Sequence, residues 1–343
     1  MTQHMQTIEI TQAGGPEVLK PVQRPIPAPK PDEVLIKITA AGVNGPDVMQ
    51  RKGLYNPPEG VTDIPGLEIA GTIVALGDDV AQSQHFKNGQ LKLGDQVCAL
   101  IAGGGYAQYA VAPVANVMPL PQGLSLIEAA AMPENFMTVW AHLFMRAKFT
   151  AGKSILIHGG TSGIGTTATM LCRALGATQI FTTVGNEAQQ KASLDLGADV
   201  AINYRTEDFV EQVKQHTNDQ GVDFVLDIIG GDYVARNYQA AALNGTILQI
   251  GVSHGKVKEL DLFPMLAKRL THLGATLRSQ TVPEKAEIIR QLQQNVWPLF
   301  AAGKVKPQLF KSYALADARL AHAQLAQGGH VGKLVLINES FKA

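Results

Sequence analysis

The run SILI, Ser154 to Ile157, is followed at once by HGGTSGIGTT, which holds four glycines in the ten residues from His158 to Thr167. An apolar strand, a glycine-rich turn and a small-residue helix start aim backbone N–H groups and a helix dipole at one point, a geometry suited to an anion. A Walker A loop needs a lysine after its last glycine, where Thr166 stands; a nucleophile elbow on Ser162 needs a glycine where Ile164 stands. The dinucleotide fingerprint fits in two registers. One is Gly163-x-Gly165-x-x-Ala168; the other takes Gly160 and Gly165 as outer glycines with Ser162 between them. An ordinary glycine-rich turn is the alternative, so context decides.

That context is a change of texture along the chain. Residues 1–124 read as short β-runs divided by Pro and Gly, such as EVLIKITAAGV, EIAGTIVALG and GDQVCALI, and predict a β-rich, barrel-like domain. The stretch PVQRPIPAPKPDE reads as an extended surface connection. From Ser125 to residue 279 apolar strands (SILIHG, QIFTTVG, DVAINY, DFVLDIIG, GTILQIGV, THLGATL) alternate with helical segments such as EAQQKASLDLG. This alternation predicts right-handed βαβ crossovers and an α/β fold with a Rossmann doubly wound parallel sheet. Residues 280–343 supply two helices and the strand GKLVLIN, expected to complete the N-terminal domain.

Lys+Arg and Asp+Glu are both 29, so no bulk basic field attracts nucleic acid or an anionic membrane, and a small-molecule partner is expected. Cys98 and Cys172 cannot build a disulfide framework, and no apolar leader follows MTQHMQTIEI; a cytoplasmic protein without membrane spans is expected. A short-chain dehydrogenase would need a Tyr-x-x-x-Lys pair, and none of the seven tyrosines has a lysine four residues on. The nine histidines are scattered without paired ligand spacing.

The motifs GVNGPDVMQRKGLYNPP, IPGLEIAGTIVALG, GGGYAQYAVAP, EAAAMPENFMTVW, LIHGGTSGIGT and INYRTEDF, in this order along nearly the whole chain, resemble the zinc-free quinone oxidoreductases of the medium-chain dehydrogenase/reductase superfamily. Within them the chain is most similar to the p53-inducible quinone oxidoreductase type. The resemblance implies a GroES-like catalytic β-domain beside the Rossmann domain, with NADPH between them giving a hydride directly to a quinone. An NADPH-dependent enone or enoyl reductase, and a cofactor-binding crystallin-like structural protein, are the alternatives. Zinc-dependent alcohol dehydrogenases of this superfamily carry Cys and His-Glu where this chain has Asn44 and Leu67-Glu68, and the four-cysteine structural lobe is missing, so no metal is expected.

Carried over residue by residue, the resemblance assigns the pyrophosphate to Gly160, Thr161, Ser162, Gly163, Ile164 and Gly165. It assigns the nicotinamide to Asn44, Thr138 and the backbone around Ile229, Gly251 and Val252, and adds Lys333 to the cofactor set. A side chain at Gly165 is expected to disturb the cofactor more than the fold. Gly185 ends the second strand where NAD sites carry a carboxylate for the ribose, which favours a 2′-phosphate. Tyr204 would lie against that phosphate, or simply pack at a strand end. The family's phosphate-binding lysine is absent from Glu187-Ala188-Gln189, leaving Gln189 in the segment and Lys191 and Arg205 as substitutes. Asn44 and Tyr55 are the catalytic candidates; Tyr55 would stack on a quinone or bond its oxygen, or else pack in the turn GLYNPP. Asp47 and Arg51 are expected to form a structural pair. THLGATL is the expected edge through which a homodimer or homotetramer pairs.

Overall fold

The computed structural model describes residues 3–83, 86 and 91–338, which divide into two compact units. The first runs through Met137 and takes in Gln280–Gly328 and the chain from Lys333; the second is Thr138–Ser279 with Gly329–Gly332. Residues 125–137, helical in texture, therefore cluster with the β-rich unit. Two contacts explain this: Phe136 packs on Phe300 at 5.1 Å between ring centroids, and the Glu134 N–H donates to Glu68 Oε2 at 2.8 Å.

The first unit begins with β1 (His4–Ile10) and β2 (Leu19–Pro25), an antiparallel pair. The start of the expected extended connection, Pro21 to Pro25, is thus part of a strand, and these two prolines are tolerated because β2 has a neighbour on one side only. The long β3 (Glu33–Val43) is the spine of a seven-stranded sheet with β4 (Glu68–Leu76), β5 (Gln96–Leu100), β6 (Tyr109–Pro113) and β7 (Val117–Pro119). Its apolar face, with Ile36, Ile38, Ile69, Ile73 and Val97, is closed to solvent. Each such side chain contributes about 1.5–3 kcal/mol relative to leaving it exposed.

The second unit is a six-stranded, all-parallel sheet of β8 (Ser154–His158), β9 (Gln179–Val184), β10 (Val200–Asn203), β11 (Val222–Asp227), β12 (Ala241–Gln249) and β13 (Thr271–Gly274). Its order is β10-β9-β8-β11-β12-β13, so every strand expected in this unit is present and the order reverses between β8 and β11. In open α/β sheets that reversal opens a crevice at the carboxyl ends of the strands. Here those ends carry the loops that start at Gly159 and Ile228. Before this sheet the helix Pro133–Val139 passes into a π-helical turn, Trp140–Arg146.

The chain then returns to the first unit through the helices Val282–Asn295 and Ala318–Gln327, β14 (Leu309–Ala314) and β15 (Lys333–Ile337). Strand β15 pairs antiparallel with β3 and parallel with β14. Strand β14 carries no sequence signal: its middle residues Phe310, Lys311 and Ser312 are exposed, so no apolar alternation marks it.

Candidate functional site

In the second unit, the glycine turn is built by close approach. A Cβ on Gly165 would lie 2.1 Å from the Gly159 carbonyl oxygen, and one on Gly160 would meet Thr182 Cβ at 2.5 Å. Gly165 therefore lets the helix Gly163–Ala174 sit directly on the turn. The expectation for Gly165 is corrected here: a side chain there collides with the protein's own backbone before any ligand. Ser162 caps the helix, its Oγ accepting from Gly165 N–H at 3.0 Å. The first helical N–H groups, of Gly163 and Ile164, stay available for an anion. The Thr161 carbonyl is bound by Gly332 N–H at 2.8 Å, and the Thr161 side chain is buried.

At the end of β9 the Gly185 N–H donates to Gln189 Oε1 at 3.0 Å, and Gln189 Nε2 reaches the His330 carbonyl at 3.3 Å. Gln189 thus closes the turn where a family lysine would stand. A Cβ on Gly185 would lie 2.9 Å from the Tyr204 hydroxyl, so these two are in contact, while the Tyr204 ring is half exposed. Lys191 points away along the outer face of its helix and pairs with Asp195 at 2.7 Å. Arg205 and Glu187 are exposed. Beyond β11, Ile229, Gly251 and Val252 do come together: the Gly230 Cβ position is 3.1 Å from Val252 Cα, and that of Gly251 is 2.8 Å from the Ile228 carbonyl oxygen. Thr138 is buried, and its hydroxyl has no hydrogen-bond partner in the protein. An orphaned buried hydroxyl is what a ligand's polar group would satisfy.

In the first unit Asn44 is the N-cap residue of the helix Gly45–Arg51, in a capping box with Asp47. Its Nδ2 donates to Glu68 Oε1 at 2.9 Å, and its Oδ1 accepts from Lys333 Nζ. Lys333 also pairs with Glu68 Oε1 at 2.6 Å, with both side chains withdrawn from solvent. Gly42 makes the room: a Cβ there would lie 2.0 Å from Glu68 Oε1. The sequence showed Glu68 only as half of a lost metal pair; its role as the counter-ion of Lys333 links positions far apart in the chain. Asp47 accepts from Asn44 N–H at 2.8 Å, from Gly66 N–H at 3.1 Å and from the Tyr106 hydroxyl at 3.3 Å. Burial pushes its carboxyl up to about 7, against the pull of these backbone donors and of Lys333. Glu134 is also raised to about 7, by burial and then by the charge of Glu68.

The expected Asp47–Arg51 pair is not formed. Arg51 donates instead to the Gly14 carbonyl at 3.1 Å and lies 3.4 Å from His322 Nδ1, because Asp47 is used up in capping. Tyr55 is half-buried in the loop after this helix. Among the described residues no three His, Cys, Asp or Glu side chains are grouped to hold a metal ion.

Residues 30–122 match the alcohol dehydrogenase GroES-like domain, and residues 163–293 the zinc-binding dehydrogenase domain. The chain is 31% identical to the quinone oxidoreductase of Homo sapiens, over 97% of this chain and 98% of that one. A solved NAD-dependent alcohol dehydrogenase superposes with a TM-score of 0.85 at 28% identity, over 97% and 99% of the two chains. The Escherichia coli quinone oxidoreductase complexed with NADPH does so with a TM-score of 0.82 at 29% identity, over the same shares. A Rossmann sheet joined to a GroES-like β-domain defines a medium-chain dehydrogenase/reductase, an oxidoreductase. Within that superfamily the chain belongs to the quinone oxidoreductases.

Proposed function

We propose that this protein is an NADPH-dependent quinone oxidoreductase that works without zinc. The observation that carries the reading is the Lys333 ammonium set between Glu68 and Asn44. A resident cation already neutralises the one carboxylate at the positions that serve zinc in metal-dependent members. A divalent ion would have to displace a buried, paired lysine.

The residues fit a dinucleotide. The free N–H groups of Gly163 and Ile164 would hold the pyrophosphate, and the orphaned Thr138 hydroxyl would take the nicotinamide amide. Gly185 and Tyr204 would border the adenosine ribose. When bound, NADPH supplies a hydride. The chain's part is to orient and to stabilise charge: Lys333 has two acceptors for three N–H bonds, leaving one for an oxygen that gains negative charge. Asn44, held by Asp47 and Glu68, keeps the ammonium aligned. Tyr55 would guide the acceptor ring. Quinones need little further help, because reduction makes them aromatic.

Exposed Leu262, Phe263 and Leu266 lie in the segment before the free edge strand β13, which supports pairing of two copies along that edge. No helix among the described residues is long and apolar enough to cross a membrane. The test is oxidation of NADPH and NADH with ortho-quinones, para-quinones and enones, before and after exhaustive chelation. Quinone turnover that survives chelation is expected. Zinc-dependent alcohol oxidation with no quinone turnover would overturn the reading.

A further inference from the structure

The second unit buries a chain of side-chain hydrogen bonds whose direction is fixed at every link. The Gly159 N–H donates to Thr183 Oγ1 at 3.3 Å, and Thr183 Oγ1 lies 3.1 Å from His158 Nδ1. His158 Nε2 lies 2.7 Å from Asn237 Oδ1, Asn237 Nδ2 donates to Asp227 Oδ2 at 2.8 Å, and Asp227 Oδ1 accepts from Ile229 N–H at 2.6 Å and Gly230 N–H at 3.0 Å. Asn237 gives its N–H to Asp227, so it offers only its oxygen to the histidine. His158 must therefore carry its proton on Nε2 and accept the Thr183 hydroxyl proton on Nδ1. All four side chains are closed to solvent, and the imidazole is wedged edge-on against Phe209 and Tyr233, each at 4.8 Å. Burial also lowers the His158 pKa, which keeps the ring neutral.

Its two ends are the functional loops. Gly159 opens the glycine turn with φ +69°, and Gly230, in the loop beyond β11, has φ +70°. His158 and Asp227 are the last residues of the neighbouring strands β8 and β11, on either side of the point where the sheet order reverses. We propose that Thr183, His158, Asn237 and Asp227 act as one strut that fixes the glycine turn relative to the 228–230 loop, making His158 a positioning residue for dinucleotide binding. The proposal rests on the cofactor reading above. A strut matters most to a ligand that spans both loops, and little to one that occupies a single loop.

The test compares NADPH with its adenosine half and its nicotinamide mononucleotide half by calorimetry. His158→Phe keeps the aromatic packing and removes both bonds. It is expected to weaken NADPH about tenfold, the scale of coupling inside one hydrogen-bond network, while each half changes by less than about twofold. Thr183→Val should behave alike, Thr183→Ser should restore wild-type binding, and His158→Phe with Asn237→Leu should cost no more than either alone. Equal losses for NADPH and its halves, or additive losses in the double variant, would overturn the strut. Nitrogen-15 NMR of the wild-type histidines reads it without any variant: the His158 Nε2–H tautomer supports it, and the Nδ1–H tautomer or a doubly protonated ring overturns it. If wild type binds neither half, the cofactor reading fails, and the tautomer together with the same double cycle in urea unfolding decides the strut.

Discussion

The two units each bury a polar cluster, and they build it on opposite principles. In the β-rich unit Glu68 is neutralised by a full counter-charge, Lys333, with Asn44 and the Glu134 N–H filling its remaining lone pairs. In the cofactor unit Asp227 has no cation among its hydrogen bonds; three N–H donors, from Ile229, Gly230 and Asn237, satisfy it. A carboxylate held by dipoles fixes the shape of a loop, whereas one held by an ammonium keeps a positive charge in place. The first arrangement suits a frame, and the second suits a site where charge develops.

The largest expected effect tests the charged cluster. Lys333→Met leaves Glu68 buried without its cation and should cost about 3–5 kcal/mol in urea unfolding, with quinone turnover lost. Adding Glu68→Gln should recover most of the stability and none of the turnover. A loss below about 1 kcal/mol for the single variant would mean that solvent screens the pair, and the contrast between the clusters would collapse.

Gly165→Ala comes next. The new methyl group would overlap the Gly159 carbonyl, so unfolding should cost about 3 kcal/mol, and the helix must shift off the turn. Wild-type stability with weakened NADPH binding would show that the collision is relieved locally and that the frame is softer than its hydrogen bonds suggest.

How much of this was legible in the sequence follows the range of each interaction. The Rossmann strands were legible because short apolar cores such as ILI, IF and FVL recur between helical segments, and the turn because glycines crowd it. Strand β14 was not, because an exposed edge strand has no buried face to print a pattern. Asn44 and Lys333 were visible only through resemblance, since their bond joins residues 289 positions apart. His158 and Asn237, 79 apart, carry no local signal either. A polar residue in an apolar strand, such as His158 or Asp227, marks only that a partner must exist.

The ribose end offers a smaller effect. Gln189 spends its carboxamide on Gly185 N–H and the His330 carbonyl, so it brings no charge to a 2′-phosphate. Gln189→Lys should raise the preference for NADPH over NADH about tenfold, the worth of one charge-assisted bond. Gly185→Asp should lower it, but must first displace the Tyr204 hydroxyl. An unchanged affinity ratio in Gln189→Lys would move the ribose away from this turn.

The smallest effect separates the clusters by pH. Glu134 has a folded pKa of about 7 against an ordinary 4.5, raised by burial and by Glu68. Between these values the folded carboxyl holds more proton than the unfolded one, so its contribution to stability is full below pH 4.5 and falls as pH rises towards 7. Because Glu134 is only partly buried, screening should hold the fall to under about 1 kcal/mol. Glu134→Gln should lessen this fall, leaving the share of Asp47, which is raised to about 7 as well. His158→Phe should steepen the fall below pH 6.5, because the unfolded ring takes up a proton there that the buried ring, its pKa lowered by burial, does not. A Glu134→Gln profile that falls as steeply as wild type from pH 4.5 to 7 would place the proton uptake elsewhere, and the β-rich cluster would then be as fully compensated as the strut.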